Sequence, residues 1–186
     1  MAWELRFMEW GNGWWTSQVL DTVLPWLTHL GSHLAVVLFV ILSWFLTRQK
    51  KVLGCLVLLY GIQSLILYGL KFLLQRQRPH FVLEMGARFP NGPGEMLDPS
   101  FPSAHTLCAF MMATLLAAWF PKYHILFYIL AGLVGWTRIY LGLHYPSDVI
   151  AGGLLGYGLT TLFIHWTDRL KDSSRTPTPP PPCPSP

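Results

Sequence analysis

Charge is what this 186-residue chain has least of: Asp, Glu, Lys and Arg make up 12% of it, against about 25% in an ordinary soluble domain. So few charges cannot cover a water-facing surface, which argues against a soluble enzyme. Cysteine is scarce as well. Cys55, Cys108 and Cys183 form an odd count without CxxC spacing, so a disulfide scaffold is excluded and they read as packing residues and one tail thiol. A basic stripe is also missing, since 13 Lys and Arg are scattered over an apolar chain of formal net charge +4. That distribution excludes nucleic acid as a partner and makes anionic lipid the natural one. Nor does the start of the chain resemble a signal peptide, because Glu4, Arg6 and Glu9 interrupt it before an apolar core can form.

Apolar runs are what the chain does have: 52% of its residues are hydrophobic, 15% are aromatic, and its mean hydropathy is +0.39. Crossing about 30 Å of hydrocarbon takes roughly 20 helical residues. Stretches 52–74, 104–120, 123–141 and 147–166 meet that need, and a shorter fifth, His33–Thr47, can recruit residues 30–32 before Arg48 stops it. In the last stretch Gly152, Gly153, Gly156 and Gly158 allow close helix approach. Ahead of the spans, residues 16–29 place Val19, Leu20, Val23, Leu24 and Leu27 at helical spacing, with Asp21, Thr22 and Thr28 opposite. This predicts an amphipathic helix at the membrane interface, where Trp3, Trp10, Trp14 and Trp15 also fit. Residues 176–186 are almost all Pro, Thr and Ser and predict a disordered end. The expected fold is therefore an all-α, polytopic membrane helix bundle of about five transmembrane helices plus an N-terminal interfacial amphipathic helix. Its expected divisions are an interfacial region 1–32, a transmembrane domain 33–170 and a disordered Pro-rich tail 171–186.

Five spans put the two termini on opposite sides. One side carries seven cations (Arg48, Lys50, Lys51, Lys122, Arg169, Lys171, Arg175), and the other six (Arg6, Lys71, Arg76, Arg78, Arg88, Arg138). If Lys71, Arg78 and Arg138 belong to an anion site, seven stand against three. Positive charge marks the inside, so the N-terminus is expected outside, the C-terminus inside and the site outside.

Three segments place ionisable residues at span ends on that outer side, where burial is costly unless a ligand or partner compensates. In Lys71-Phe-Leu-Leu-Gln-Arg-Gln-Arg78-Pro79, the cations are seven residues apart, which predicts one helical face. They can hold an anion or simply snorkel to headgroups. In Ser100-Phe-Pro-Ser103-Ala104-His105-Thr106, Ser103 caps the following helix, whose free N–H groups can bind an anion. Its bland reading is a cap beside an interfacial histidine. In the third, Thr137-Arg138 through His144-Tyr-Pro146-Ser-Asp148, Pro146 opens a helix with Asp148 in its first turn and His144 just before it. Asp148 can then fix the tautomer of His144, or the group can be a structural ion network. Three cations, two histidines, a carboxylate and a helix N-terminus converging on one side point to phosphoryl chemistry.

These segments, KFLLQRQRP, PSAH and TRIYLGLHYPSD, resemble the signature of the type 2 phosphatidic acid phosphatase (PAP2) superfamily, K-x6-R-P, P-S-G-H and S-R-x5-H-x3-D. Ala104 stands where that family usually has Gly, and Thr137 where it usually has Ser. The added methyl narrows the phosphate cradle and the hydroxyl is retained, so neither is expected to abolish activity. The resemblance implies that His144 attacks phosphorus, Asp148 orients it, and His105 serves as general acid and then base. It also implies that Lys71, Arg78, Arg138, Ser103 and the backbone at Ala104 bind phosphate. No metal or other cofactor is expected, and no carboxylate cluster suited to Mg²⁺ is seen.

A site at span ends suits an amphiphile, which implies a membrane lipid phosphate or diphosphate within the bilayer, foremost undecaprenyl diphosphate. Alternatives are phosphatidylglycerophosphate, phosphatidate or lipid A phosphatase activity, transfer to an alcohol acceptor, and a non-enzymatic anion or lipid-phosphate binding protein. The turn-rich loop 81–101 reads either as a gate over substrate entry or as a plain connector.

Overall fold

The computed structural model of the chain describes residues 2–14, 17–82 and 98–173. Regular structure among them is entirely helical: α1 (Ala2–Trp14), α2 (Gln18–Leu27), α3 (His33–Thr47), α4 (Lys50–Leu74), one-turn α5 (Pro79–Val82), α6 (Ala104–Trp119), α7 (His124–Tyr140) and α8 (Pro146–Ser173). Most of loop 81–101 and the Pro-rich stretch 176–186 lie outside the described residues. Serine starts three of the helices. The hydroxyls of Ser17, Ser32 and Ser103 accept from the N–H groups of Leu20, Ala35 and Thr106 at 3.1, 3.2 and 3.5 Å, satisfying donors that a first turn leaves free.

All five expected apolar helices are present as α3, α4, α6, α7 and α8. By length and apolarity, the segments Lys50–Val82 and Pro146–Leu170 qualify as spans singly, and Gln18–Gly31 with His33–Thr47 qualify as a pair bent by 53°. At 16 residues, α6 is about 24 Å long. Large apolar side chains are exposed on the outside, and polar ones are buried among the apolar clusters within. Leu65, Phe72 and Leu73 are 75–77% exposed, whereas buried Gln63 on α4 donates to Thr160 on α8 at 2.8 Å. Helices surrounded by lipid are built this way.

At the centre α6 packs against α7 and α8. A Cβ at Gly152 would lie 2.5 Å from the Ser103 carbonyl oxygen, and one at Gly156 would lie 2.3 Å from that of Leu107. These two glycines let α8 lie directly on the α6 backbone, and Gly153 faces the Phe110 ring. Gly158, expected to do likewise, has nothing within 4 Å.

The N-terminal region is more engaged with the bundle than an interfacial segment needs to be. Glu4, Met8 and Gly11, at helical spacing, form the buried face of α1, while Trp3 and Trp10 are exposed. In α2 the apolar residues divide, with Leu24 buried and Val19, Val23 and Trp26 exposed. Asp21 and Thr28, expected to face away from the apolar side, instead accept from Tyr140 Oη at 2.7 Å and from Arg138 Nη1 at 3.0 Å.

Candidate active site

The first segment does not form the single helical face its spacing predicts. Gln75 adopts a left-handed conformation (φ 40°), and its N–H closes α4 on the Lys71 carbonyl at 3.0 Å. The chain then turns through residues 75–78, because Pro79 disfavours helix in the residue before it. Arg78 meets Lys71 through a third group. Lys71 Nζ pairs with Asp98 Oδ2 at 2.7 Å, and Arg78 Nη2 binds the other oxygen, Oδ1, of the same carboxylate. Arg78 also donates through Nε to the Asp98 carbonyl at 2.9 Å and through Nη1 to the Leu143 carbonyl at 3.1 Å.

The second and third segments meet at the N-termini of α6 and α8. Past α7, Gly142 with φ 71° turns the chain so that the N–H groups of Leu143 and His144 both donate to the Arg138 carbonyl, at 3.0 and 3.3 Å. This hands His144 to the site just before Pro146 opens α8. The Ser103 N–H donates to the Asp148 carbonyl at 3.1 Å, tying the two helix starts together.

Around His144 every contact is buried. Asp148 Oδ2 lies 3.6 Å from His144 Nδ1, too far for a direct hydrogen bond, and the Ser100 hydroxyl stands between them. Ser100 donates to Asp148 Oδ2 and lies 3.4 Å from Nδ1, and the Tyr145 N–H donates to the same carboxylate oxygen at 3.0 Å. With its one proton committed to Asp148, Ser100 accepts from Nδ1–H. Nε2 then carries the lone pair and accepts from Arg78 Nη1 at 3.4 Å. The other Asp148 oxygen, Oδ1, is held by Arg76 Nη1 at 2.5 Å.

His144 lines a cavity of about 270 Å³ together with His33, Tyr68, Lys71, Arg78, Asp98, Ala104, His105 and Arg138. Six of the eight residues expected from sequence therefore share one lining. The remaining two, Ser103 and Asp148, are wholly buried behind it. Thr137, the Thr-for-Ser departure, donates to the Val134 carbonyl of its own helix at 2.6 Å, so the change is absorbed away from the cavity. Burial holds the His144 imidazole well below its usual range, reinforced by Arg78, Arg138 and Lys71, with Asp98 opposing. Burial alone would raise the Asp98 carboxyl, but Lys71 and Arg78 outweigh it and hold it below the usual value.

Four residues that contact the site's side chains were not assigned from sequence: Asp98, Ser100, Arg76 and Glu4. Ser100 and Arg76 lie inside segments already singled out, without a pattern that separates them from linker residues. Only Glu4 left a trace, in its i, i+4, i+7 spacing with Met8 and Gly11.

A family model described as the PAP2 superfamily matches residues 51–172. Over 71 residues the chain is 46% identical to bacitracin transport permease protein BcrC of Bacillus licheniformis, covering 38% of this chain and 34% of that one. Over 123 residues it is 34% identical to undecaprenyl-diphosphatase of Sulfolobus acidocaldarius, covering 63% and 56%. The chain thus spans about a third and about half of the length of these relatives. Its fold matches the crystal structure of the first transmembrane PAP2 type phosphatidylglycerolphosphate phosphatase from Bacillus subtilis, with a TM-score of 0.74 at 24% identity over 91% of this chain and 86% of that one.

Proposed function

The chain belongs to the PAP2 superfamily, and from that membership we propose that it is an integral membrane lipid phosphatase working through a phosphohistidine. One observation carries the reading: a single cavity is lined by Lys71, Arg78, Arg138, His105 and His144. His144 Nε2 attacks phosphorus as the P–O bond to the lipid breaks, and His105 gives its proton to the leaving oxygen. His105 then takes a proton from water, whose oxygen displaces His144 and releases inorganic phosphate. Lys71, Arg78 and Arg138, with the N–H groups at Ala104 and His105 in the first turn of α6, neutralise the equatorial oxygens. Ser103 holds that helix start in place, and Ser100 passes the orienting effect of Asp148 to His144.

The favoured substrate is undecaprenyl diphosphate, for which the named activity of the Sulfolobus relative and the location of the site at helix ends speak. The catalytic unit is residues 33–170, set in the plasma membrane with its site on the extracytoplasmic face. Arg76 supports that orientation. Paired with Glu4 and Asp148, it leaves the outer count of free cations, so seven against three becomes seven against two (Arg6 and Arg88).

Phosphate release from detergent-solubilised protein tests the reading, with undecaprenyl diphosphate, phosphatidylglycerophosphate and phosphatidate in parallel, EDTA present, and His144→Ala as control. Release by the wild type alone, fastest from undecaprenyl diphosphate, is expected. Faster release from another lipid reassigns the substrate, and none from any lipid rejects the hydrolase.

A further inference from the structure

The reaction above makes no use of α1, yet the buried carboxylate of that helix reaches the group that holds Asp148. Arg76 is a fork between two acids: Nη1 donates to Asp148 Oδ1 at 2.5 Å and to Ser147 Oγ at 2.7 Å, while Nη2 pairs with Glu4 Oε2 at 2.7 Å. Its guanidinium lies 4.0 Å from the centre of the Tyr145 ring. The second Glu4 oxygen accepts from the Ser147 N–H at 3.1 Å and from its hydroxyl at 2.5 Å, closing the free N-terminus of α8. Glu4 and Arg76 side chains are 5% and 12% exposed and Asp148 is 0%.

We propose that Glu4 is a positioning residue for the reaction, acting through Arg76 and Asp148 on His144. This rests on His144 being the nucleophile. The reason is charge as much as geometry. With one cation shared between two carboxylates, the group keeps a net charge of minus one, and Asp148 remains an effective partner for an imidazole that becomes positive on phosphorylation. Without Glu4 the same cation belongs to Asp148 alone and cancels it. Glu4 is absent from the cavity lining, so its removal should act on turnover rather than on substrate binding.

Glu4→Gln is nearly isosteric and keeps an oxygen for Ser147. Expected is a fall in kcat of roughly 10- to 100-fold, the range found for supporting groups behind ligating histidines, with KM little changed. Glu9→Gln, an exposed acid on the same helix, should match the wild type. Because Glu4 acts through Arg76, adding Glu4→Gln to Arg76→Gln should cost nothing further. Arg76→Lys, which keeps the cation and loses the fork, should behave like Glu4→Gln and serves if that variant does not fold. An unchanged kcat, a rise in KM alone, or additive losses would overturn the proposal. The ¹⁵N shifts of the His144 imidazole give a readout without turnover: they should move in Glu4→Gln and stay fixed in Glu9→Gln. If the wild type releases no phosphate, the phosphatase reading fails by itself, and unmoved shifts overturn the positioning role.

Discussion

The two flanks of the cavity are built in opposite ways. On the nucleophile flank, His144, Ser100 and Asp148 are buried and interlocked, with contributions from both helix starts, the turn before α5 and the distant α1. On the cation flank, Lys71 and Arg78 are just as buried, but what unites them is the Asp98 side chain, which is 40% exposed. A buried carboxylate cannot leave its partners without losing all solvation. An exposed one can be exchanged for another anion at little cost. On the proposed function, one flank is fixed before substrate arrives, as electrostatic preorganisation requires, and the other holds a carboxylate whose place the substrate phosphate would take.

Removing the fixed flank should have the largest effect. His144→Ala deletes the attacking atom and should lower turnover by about 10⁴-fold or more, read by phosphate release under saturating lipid. Acid acts on the same atom more gently. Attack needs neutral His144, whose proton affinity is lowered by burial and then by Arg78, Arg138 and Lys71. The acid limb of kcat/KM should therefore lie below pH 6.5, falling about tenfold per pH unit only beneath the depressed pKa. A limb at or above pH 6.5 would count against a nucleophile buried among cations.

The exchangeable flank should respond in the opposite direction. Asp98→Asn removes the anion that bridges Lys71 and Arg78 and should tighten inhibition by inorganic phosphate by about fivefold or more, the upper scale of an exposed ion pair, since both cations here are buried. Because Asp98 is the group that opposes the depression of His144, the acid limb should also move to lower pH. Weaker inhibition would mean that Asp98 organises the cations rather than occupies them. Smallest of all, Lys122→Ala on the exposed turn between α6 and α7 should leave kcat and KM within error.

Much of this was legible beforehand because helix and span are local properties. Ser103 and Pro146 mark the starts of α6 and α8 by capping and ring geometry alone, and apolar runs locate the five long helices. The residues proposed to carry the chemistry drew notice because ionisable groups at span ends are conspicuous, and six of the eight share one cavity lining. Spacing misled at Lys71 and Arg78, since a left-handed Gln75 ends the helix between them and Asp98 reunites them from outside the segment. Glu4 and Arg76 were counted as ordinary charges because they pair across 72 positions of the chain, and no periodic pattern encodes so distant a contact.

The seam between α6 and α8 has a mechanical consequence. Asp148 and Gly152 lie one helical turn apart on α8 and grip opposite ends of one residue, Asp148 accepting from the Ser103 N–H and Gly152 abutting the Ser103 carbonyl. Tilt or slippage of α8 is thereby transmitted straight to the start of α6. A bilayer that thickens or thins must move the two helix starts together, and so carries His144 and His105 as one part.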